Sequence, residues 1–80
     1  MATTNYCAYV AINTDPKATK EIFRKVSDTR CVKQAHTVTG RYDILLRLEA
    51  DTQRDLFNTV LAEIRGYPGV QHTETWTVCE

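Results

Sequence analysis

At 80 residues the chain has room for one domain, and a domain this short buries only about 60% of the surface its unfolded form exposes, so self-association is a natural source of added stability. A hydrophobic share of 42% and a charged share of 25% exclude a disordered or low-complexity chain, and no apolar run approaches the roughly 20 residues of a membrane span. Ten basic and ten acidic residues cancel, and an isoelectric point near 6.7 lacks the positive footprint of a nucleic-acid binder.

In chain order, Met1 to Asn5 shows neither the basic nor the apolar region of a signal peptide, which makes the cytoplasm the expected location. Tyr6 to Asn13 is apolar on both alternating faces and rich in aromatic and β-branched residues, the pattern of a central strand covered on both sides. Asp15 followed by Pro16 signals a helix start. The helix is expected to run to about Asp28, with Ala18, Ile22, Phe23 and Val26 inward and Lys17, Lys20, Glu21, Arg24 and Lys25 outward.

Arg30 to Thr39 has the mixed polarity of an edge strand. Gly40 breaks the pattern for a tight reversal, and Tyr42 to Glu49 then alternates Ile44, Leu46 and Leu48 against Leu45, Arg47 and Glu49, giving a hairpin. Asp51 or Thr52 caps a second helix with Leu56, Phe57, Val60, Leu61 and Ile64 as its apolar face. Gly66 suits the left-handed position after it, Pro68-Gly69 prevents its continuation, and Val70 to Val78 is the fourth strand.

This order predicts an α+β fold of ferredoxin-like βαββαβ type, in which two right-handed split crossovers build a four-stranded antiparallel sheet with both helices on one face. The other face still carries apolar residues from strand one and Leu45, so it calls for a partner. A second copy packed sheet to sheet about a two-fold axis, in the manner of dimeric α+β barrels, is the expected one. Residues 1–41 hold seven basic and three acidic groups and residues 42–80 the reverse, which places opposite patches on the subunits.

The richest polar cluster is Thr37-Val38-Thr39-Gly40-Arg41-Tyr42-Asp43, which gathers two hydroxyls, a guanidinium, a phenol and a carboxylate around a glycine able to expose backbone N–H groups. Such a turn suits a ligand bearing both charges. The plainer reading is that Gly40 serves the reversal and Asp43 bonds neighbouring backbone N–H groups. Thr73, Thr75 and Thr77 alternate along strand four and either line a polar pocket or form a wet strand face.

Other candidates favour structural roles. His36 and His72 fall on strands at opposite edges of the expected sheet, too far apart to share a metal or proton. Cys7, Cys31 and Cys79 form an odd, widely spaced set that reads as reduced thiols; Cys7 and Cys79 approach each other if strands one and four pair, a redox option set against the commoner small buried hydrophobe. Tyr9, Tyr42 and Trp76 read as core or subunit interface rather than a cofactor pocket, and Lys17, Lys20 and Arg24 as a solvated helix face. No phosphate-cradling loop, metal-ligand motif or nucleophile elbow occurs in the sequence, so neither catalysis nor a cofactor is expected.

The run Thr39-Gly40-Arg41-Tyr42-Asp43-Ile44, with Pro68-Gly69-Val70 and Thr73-Glu74-Thr75, resembles the ligand-binding half of Lrp/AsnC-type regulators, the RAM domain, over Tyr9 to Val78. The resemblance implies dimers joined sheet to sheet, their assembly into larger rings such as octamers or decamers, and a small-molecule effector, an amino acid, bound where dimers meet. Carried over by position, it makes Thr37, Thr39, Gly40, Arg41, Tyr42, Asp43, Thr73 and Thr75 the ligand-binding residues. Asp43 is suited to an α-ammonium and the loop N–H groups to a carboxylate. Full regulators of this type carry a helix-turn-helix domain first, and only Met1 to Asn5 precede strand one here. Direct DNA binding is therefore not expected, and a full-length Lrp/AsnC regulator is an expected partner. Two alternatives stay open: an oligomerisation or adaptor module without ligand, and a small enzyme of dimeric α+β barrel type.

Overall fold

The computed structural model describes residues 6–78. Its elements are β1 (Tyr6–Thr14), α1 (Thr19–Ser27), β2 (Val32–Thr37), β3 (Ile44–Ala50), α2 (Gln53–Asn58), a π-helical continuation of α2 (Thr59–Ile64), and β4 (Val70–Val78). The strands form one antiparallel sheet in the order β2-β3-β1-β4. Each strand–helix–strand unit thus steps over one strand, as the split βαβ reading requires.

Strand periodicity divides the sheet into two chemically distinct faces. Ala8, Val10 and Ile12 of β1 lie opposite Leu48, Leu46 and Ile44 of β3 and pack beneath Ile22 and Val26 of α1 and Leu56, Val60 and Ile64 of the second helical segment. These residues are the core, and each large aliphatic among them contributes about 1.5–3 kcal/mol by leaving water. The other face presents Tyr9 and Ala11 of β1, Leu45 and Arg47 of β3, and Glu74 and Trp76 of β4, and among the described residues both helical segments pack on the opposite side. Tyr9 and Trp76, directly opposite each other, stay 39% and 46% exposed.

Several boundaries differ from those expected. Helix α1 begins at Thr19 because Asp15 organises a turn ahead of it: its Oδ1 accepts from the Lys17 amide at 3.1 Å, and its carbonyl accepts from the Ala18 amide at 2.8 Å. Strand β2 starts only at Val32, since Cys31 has a φ of 75° and the register with β3 slips between Val32 and Gln34. Strand β3 begins at Ile44 because Tyr42 and Asp43 are pulled out of the ladder by the contacts described below. At the start of α2, Thr52 is the cap, its Oγ1 accepting from the Asp55 amide at 3.0 Å.

The left-handed glycine is not Gly66 but Gly69, with a φ of 97°. A Cβ there would lie 2.7 Å from the Ala18 Cβ, so only glycine lets this turn close on α1. The second helix widens after Asn58, with the Arg65 amide bonding back five residues to the Val60 carbonyl at 3.0 Å. Its buried side is Leu56, Thr59, Val60 and Ile64, while Phe57 and Leu61, expected on that side, are 45% and 57% exposed. The inward stripe is narrower than the apolar run that encodes it.

Candidate functional site

The loop between β2 and β3 is shaped less by its own residues than by the end of β1. The Val38 amide donates to the Asp43 carbonyl at 3.0 Å, closing the loop, and the Asp43 amide donates to the Ile12 carbonyl at 2.9 Å. Asn13 Nδ2 donates to the Arg41 carbonyl at 2.7 Å. Thr14 donates from its amide to Asp43 Oδ2 at 2.8 Å, with its hydroxyl 3.4 Å from the same oxygen. Three consecutive β1 residues therefore hold positions 41 to 43. The β1–β4 register shifts between Asn13 and Thr14, a bulge of the kind that re-aims side chains at the end of a strand.

Within this frame Gly40 adopts a φ of 110° with nothing within 4 Å of where a Cβ would stand, so glycine is needed there for conformation, not for space. Thr37, Thr39, Gly40 and Arg41 are exposed, while Tyr42 and Asp43 are half-buried.

Tyr42 and Asp43 precede the β3 ladder, so their partners rather than strand alternation set their directions, and this splits the expected site. Asp43 turns to the helix side, where the buried Thr14 hydroxyl also meets Thr19 Oγ1 at 2.6 Å. Tyr42 turns to the open face, where its hydroxyl donates to Glu74 Oε1 and its ring meets Trp76 edge-on, with centroids 6.5 Å apart and planes at 86°. The Glu74 carboxylate accepting that bond is the largest cause holding the Tyr42 phenol above its ordinary value of 10.0.

Thr73 and Thr75 face the helix side, opposite Ile12 and Val10. Thr37 lies on the same rung as Thr73, through Ile44 and Ile12. The two threonines are thus three strand spacings apart, on the order of 14 Å, and one subunit does not bring them together. Thr73 instead borders a shallow depression of about 340 Å³ with Arg65, Val70, Gln71 and His72 at the outer edge of β4.

The residues that sequence reasoning misses are Asn13, Thr14 and Thr19, which hold the loop, and the pairing of Glu74 with Tyr42. Polar residues closing an otherwise apolar strand one are the available signal. His36 and His72 do fall on opposite edge strands. Cys7 is half-buried on the open face, its Sγ 3.7 Å from Arg47 Nη2; Cys79 lies outside the described residues.

Chemically, the loop offers a guanidinium on Arg41, a carboxylate on Asp43 with Oδ2 committed to Thr14, and backbone groups exposed around Gly40. That set matches a zwitterion better than a simple cation or anion. The family model described as Lrp/AsnC ligand binding domain matches residues 7–80. Among solved structures, FFRP-DM1 is 30% identical and superposes with a TM-score of 0.88 over 92% of this chain and 99% of that one. The AsnC protein of E. coli is 21% identical with a TM-score of 0.86, covering 94% of this chain and 51% of its own. The transcriptional regulator NMB0573 of Neisseria meningitidis, solved in complex with L-Met, is 22% identical with a TM-score of 0.82, covering 94% of this chain and 50% of its own. The chain spans about half the length of these last two proteins. No curated protein sequence matches at comparable significance.

Proposed function

Because the chain belongs to the Lrp/AsnC ligand-binding domain family, we propose that it is a sensor of a small molecule, an amino acid, bound at the Thr39–Asp43 loop and read out by a partner that controls transcription or amino-acid metabolism. The observation that carries this reading is the loop itself: a glycine-centred turn with charges of both signs, fixed from outside by Ile12, Asn13 and Thr14. A loop ordered before its ligand arrives loses little entropy on binding. Thr37, Thr73 and Thr75, which one subunit leaves apart, enter the same site from a neighbouring subunit. The relative solved with L-Met supports the choice of ligand class, and the protein carries out no catalysis.

We further propose that the open sheet face, with Tyr9, Ala11, Leu45 and Trp76, is covered by a second copy, and that these dimers close into a ring. A full-length Lrp/AsnC regulator is the partner proposed to read the signal. Light scattering tests the assembly. A wild-type protein that stays monomeric across concentrations overturns it, as does a Trp76→Lys variant that assembles as the wild type does.

Binding is tested by calorimetry and thermal shift with each common amino acid added singly; ligand at about a hundredfold over its dissociation constant adds roughly 2.7 kcal/mol of stability. Asp43→Asn is the informative variant, because its amide oxygen still accepts from Thr14 while its NH₂ replaces the oxygen facing an ammonium. Selective binding by the wild type that is lost in Asp43→Asn supports the sensor. No binding by the wild type favours a second reading, an oligomerisation adaptor without ligand, whose support is that Asp43 Oδ2 is already occupied by Thr14.

A further inference from the structure

Behind Asp43 lies a short chain of hydroxyls. Thr14 is 4% exposed, and its Oγ1 stands 3.4 Å from Asp43 Oδ2 and 2.6 Å from Thr19 Oγ1. Thr19 Oγ1 in turn stands 3.3 Å from the Asp15 carbonyl, the same oxygen that accepts from the Ala18 amide at the entry to α1. Each hydroxyl has a single proton, so two protons serve three contacts and one contact is always left without a donor.

Three arrangements satisfy this arithmetic, and the 2.6 Å separation of the two hydroxyl oxygens, the length of an O–H···O hydrogen bond, leaves the two in which a proton lies between them. In one, Thr14 donates to the Asp43 carboxylate and Thr19 donates to Thr14, so both protons run toward the loop. In the other, Thr14 donates to Thr19 and Thr19 donates to the Asp15 carbonyl, so both run toward α1. A bare carboxylate is the stronger acceptor and favours the first arrangement, and the partly buried setting strengthens each bond through its neighbour. A cation seated on Asp43 draws that charge away and favours the second.

We infer that Thr14 and Thr19 are positioning residues for the Asp43 carboxylate, and that their hydroxyl chain reverses when an ammonium occupies Asp43, reporting the event to the entry of α1. The inference rests on the proposed amino-acid site for its trigger, though not for its resting geometry. Thr19 stands 24 positions upstream of Asp43 in the sequence, and its side-chain hydrogen bonds run to Thr14 and the Asp15 carbonyl, so it is linked to the loop through Thr14. Its role is therefore to fix the carboxylate rather than to meet the ligand.

The test compares the wild type with Thr19→Val, which removes the hydroxyl at nearly constant volume, and Thr19→Ser, which restores it. In unliganded protein, Thr19→Val is expected to speed hydrogen exchange at the Thr14 amide about three- to tenfold, the scale of one neutral hydrogen bond, with exchange in the core strands unchanged and the Thr19→Ser rate near wild type. Unchanged exchange at Thr14, or a serine variant that behaves like valine, overturns the positioning role whether or not any amino acid binds. With each common amino acid supplied singly, a binder is expected to alter exchange at the Ala18 amide in the wild type and the serine variant but not in Thr19→Val, and to bind the valine variant about three- to tenfold more weakly. Equal affinity and equal Ala18 response in all three proteins overturn the reversal. A wild type that binds no amino acid overturns the reversal together with the sensor reading, and leaves the resting geometry to be decided by the Thr14 exchange.

Discussion

The hydroxyl of Tyr42 reaches across β1 to donate to Glu74 Oε1, tying the loop before β3 to the edge strand β4. The acceptor is charged, so the bond exists only while the phenol keeps its proton, and the Tyr42 pKa lies above its ordinary value of 10.0. A folded-state value raised above the unfolded one stabilises the fold fully below that ordinary value, and the contribution is lost as pH rises through the folded value. In a spectroscopic phenolate titration, one of the four tyrosines is expected to ionise later than in Glu74→Gln. Superimposable curves for the two proteins would rule the bond out as the cause.

Thr59 is fully buried, and its Oγ1 lacks a hydrogen-bond partner among the described residues. A buried hydroxyl without a partner forfeits its hydration for nothing in return. Thr59→Val is expected to raise stability by about 1 kcal/mol, equivalent to a melting temperature higher by about 4–8 °C in a domain of this size. A thermal melt decides it, and a lowered melting temperature would mean that the hydroxyl has a partner in solution.

Gly69 and Gly40 both have positive φ, but they differ in surroundings. A Cβ on Gly69 meets Ala18 and Ile22 at 2.7 and 3.0 Å, whereas one on Gly40 meets nothing within 4 Å. Gly40→Ala is expected to cost about 1 kcal/mol through backbone strain alone, and Gly69→Ala about 1–3 kcal/mol more from overpacking against α1. Urea unfolding of the two variants compares them directly, and equal losses would contradict the close approach of the Gly69 turn to α1.

Leu61 and Ile64 lie three residues apart in the π-helical segment, less than a full turn, with opposite fates, one exposed and the other fully buried. Ile64→Ala is expected to cost about 2–5 kcal/mol, and Leu61→Ala to stay within about 0.5 kcal/mol. Chemical denaturation distinguishes them; a comparable loss at Leu61 would show that its face is covered in solution.

Strand alternation makes the sheet legible in the sequence alone. Ala8, Val10 and Ile12 pair with Leu48, Leu46 and Ile44 because a period of two admits only one inward set once a face is buried. The boundaries at Asp15, Gly66 and Tyr42 are harder to read, since a capping carboxylate, a turn glycine and a strand aromatic each serve several local structures equally well, and tertiary contacts choose among them. The cluster around Gly40 is legible as a polar turn, but the turning of Asp43 toward Thr14 and Tyr42 toward Glu74 is not. Both depend on partners about thirty positions away in the chain, and no local pattern encodes such a distance. Phe57 and Leu61 fall outside the buried side because periodicity gives the width of an apolar stripe and not how much of it the sheet covers.

Strand β1 sits between β3 and β4, with Cys7 opposite both Glu49 and Val78. β1 therefore completes its hydrogen bonding only when β4, more than fifty residues later in the chain, has been made, and closing so long a loop makes that step slow. Until then the most apolar strand of the sheet presents one bare edge, and the β4 of another copy fits that vacancy as well as the chain's own. Domain exchange through β4 is the misassembly this topology invites at high concentration.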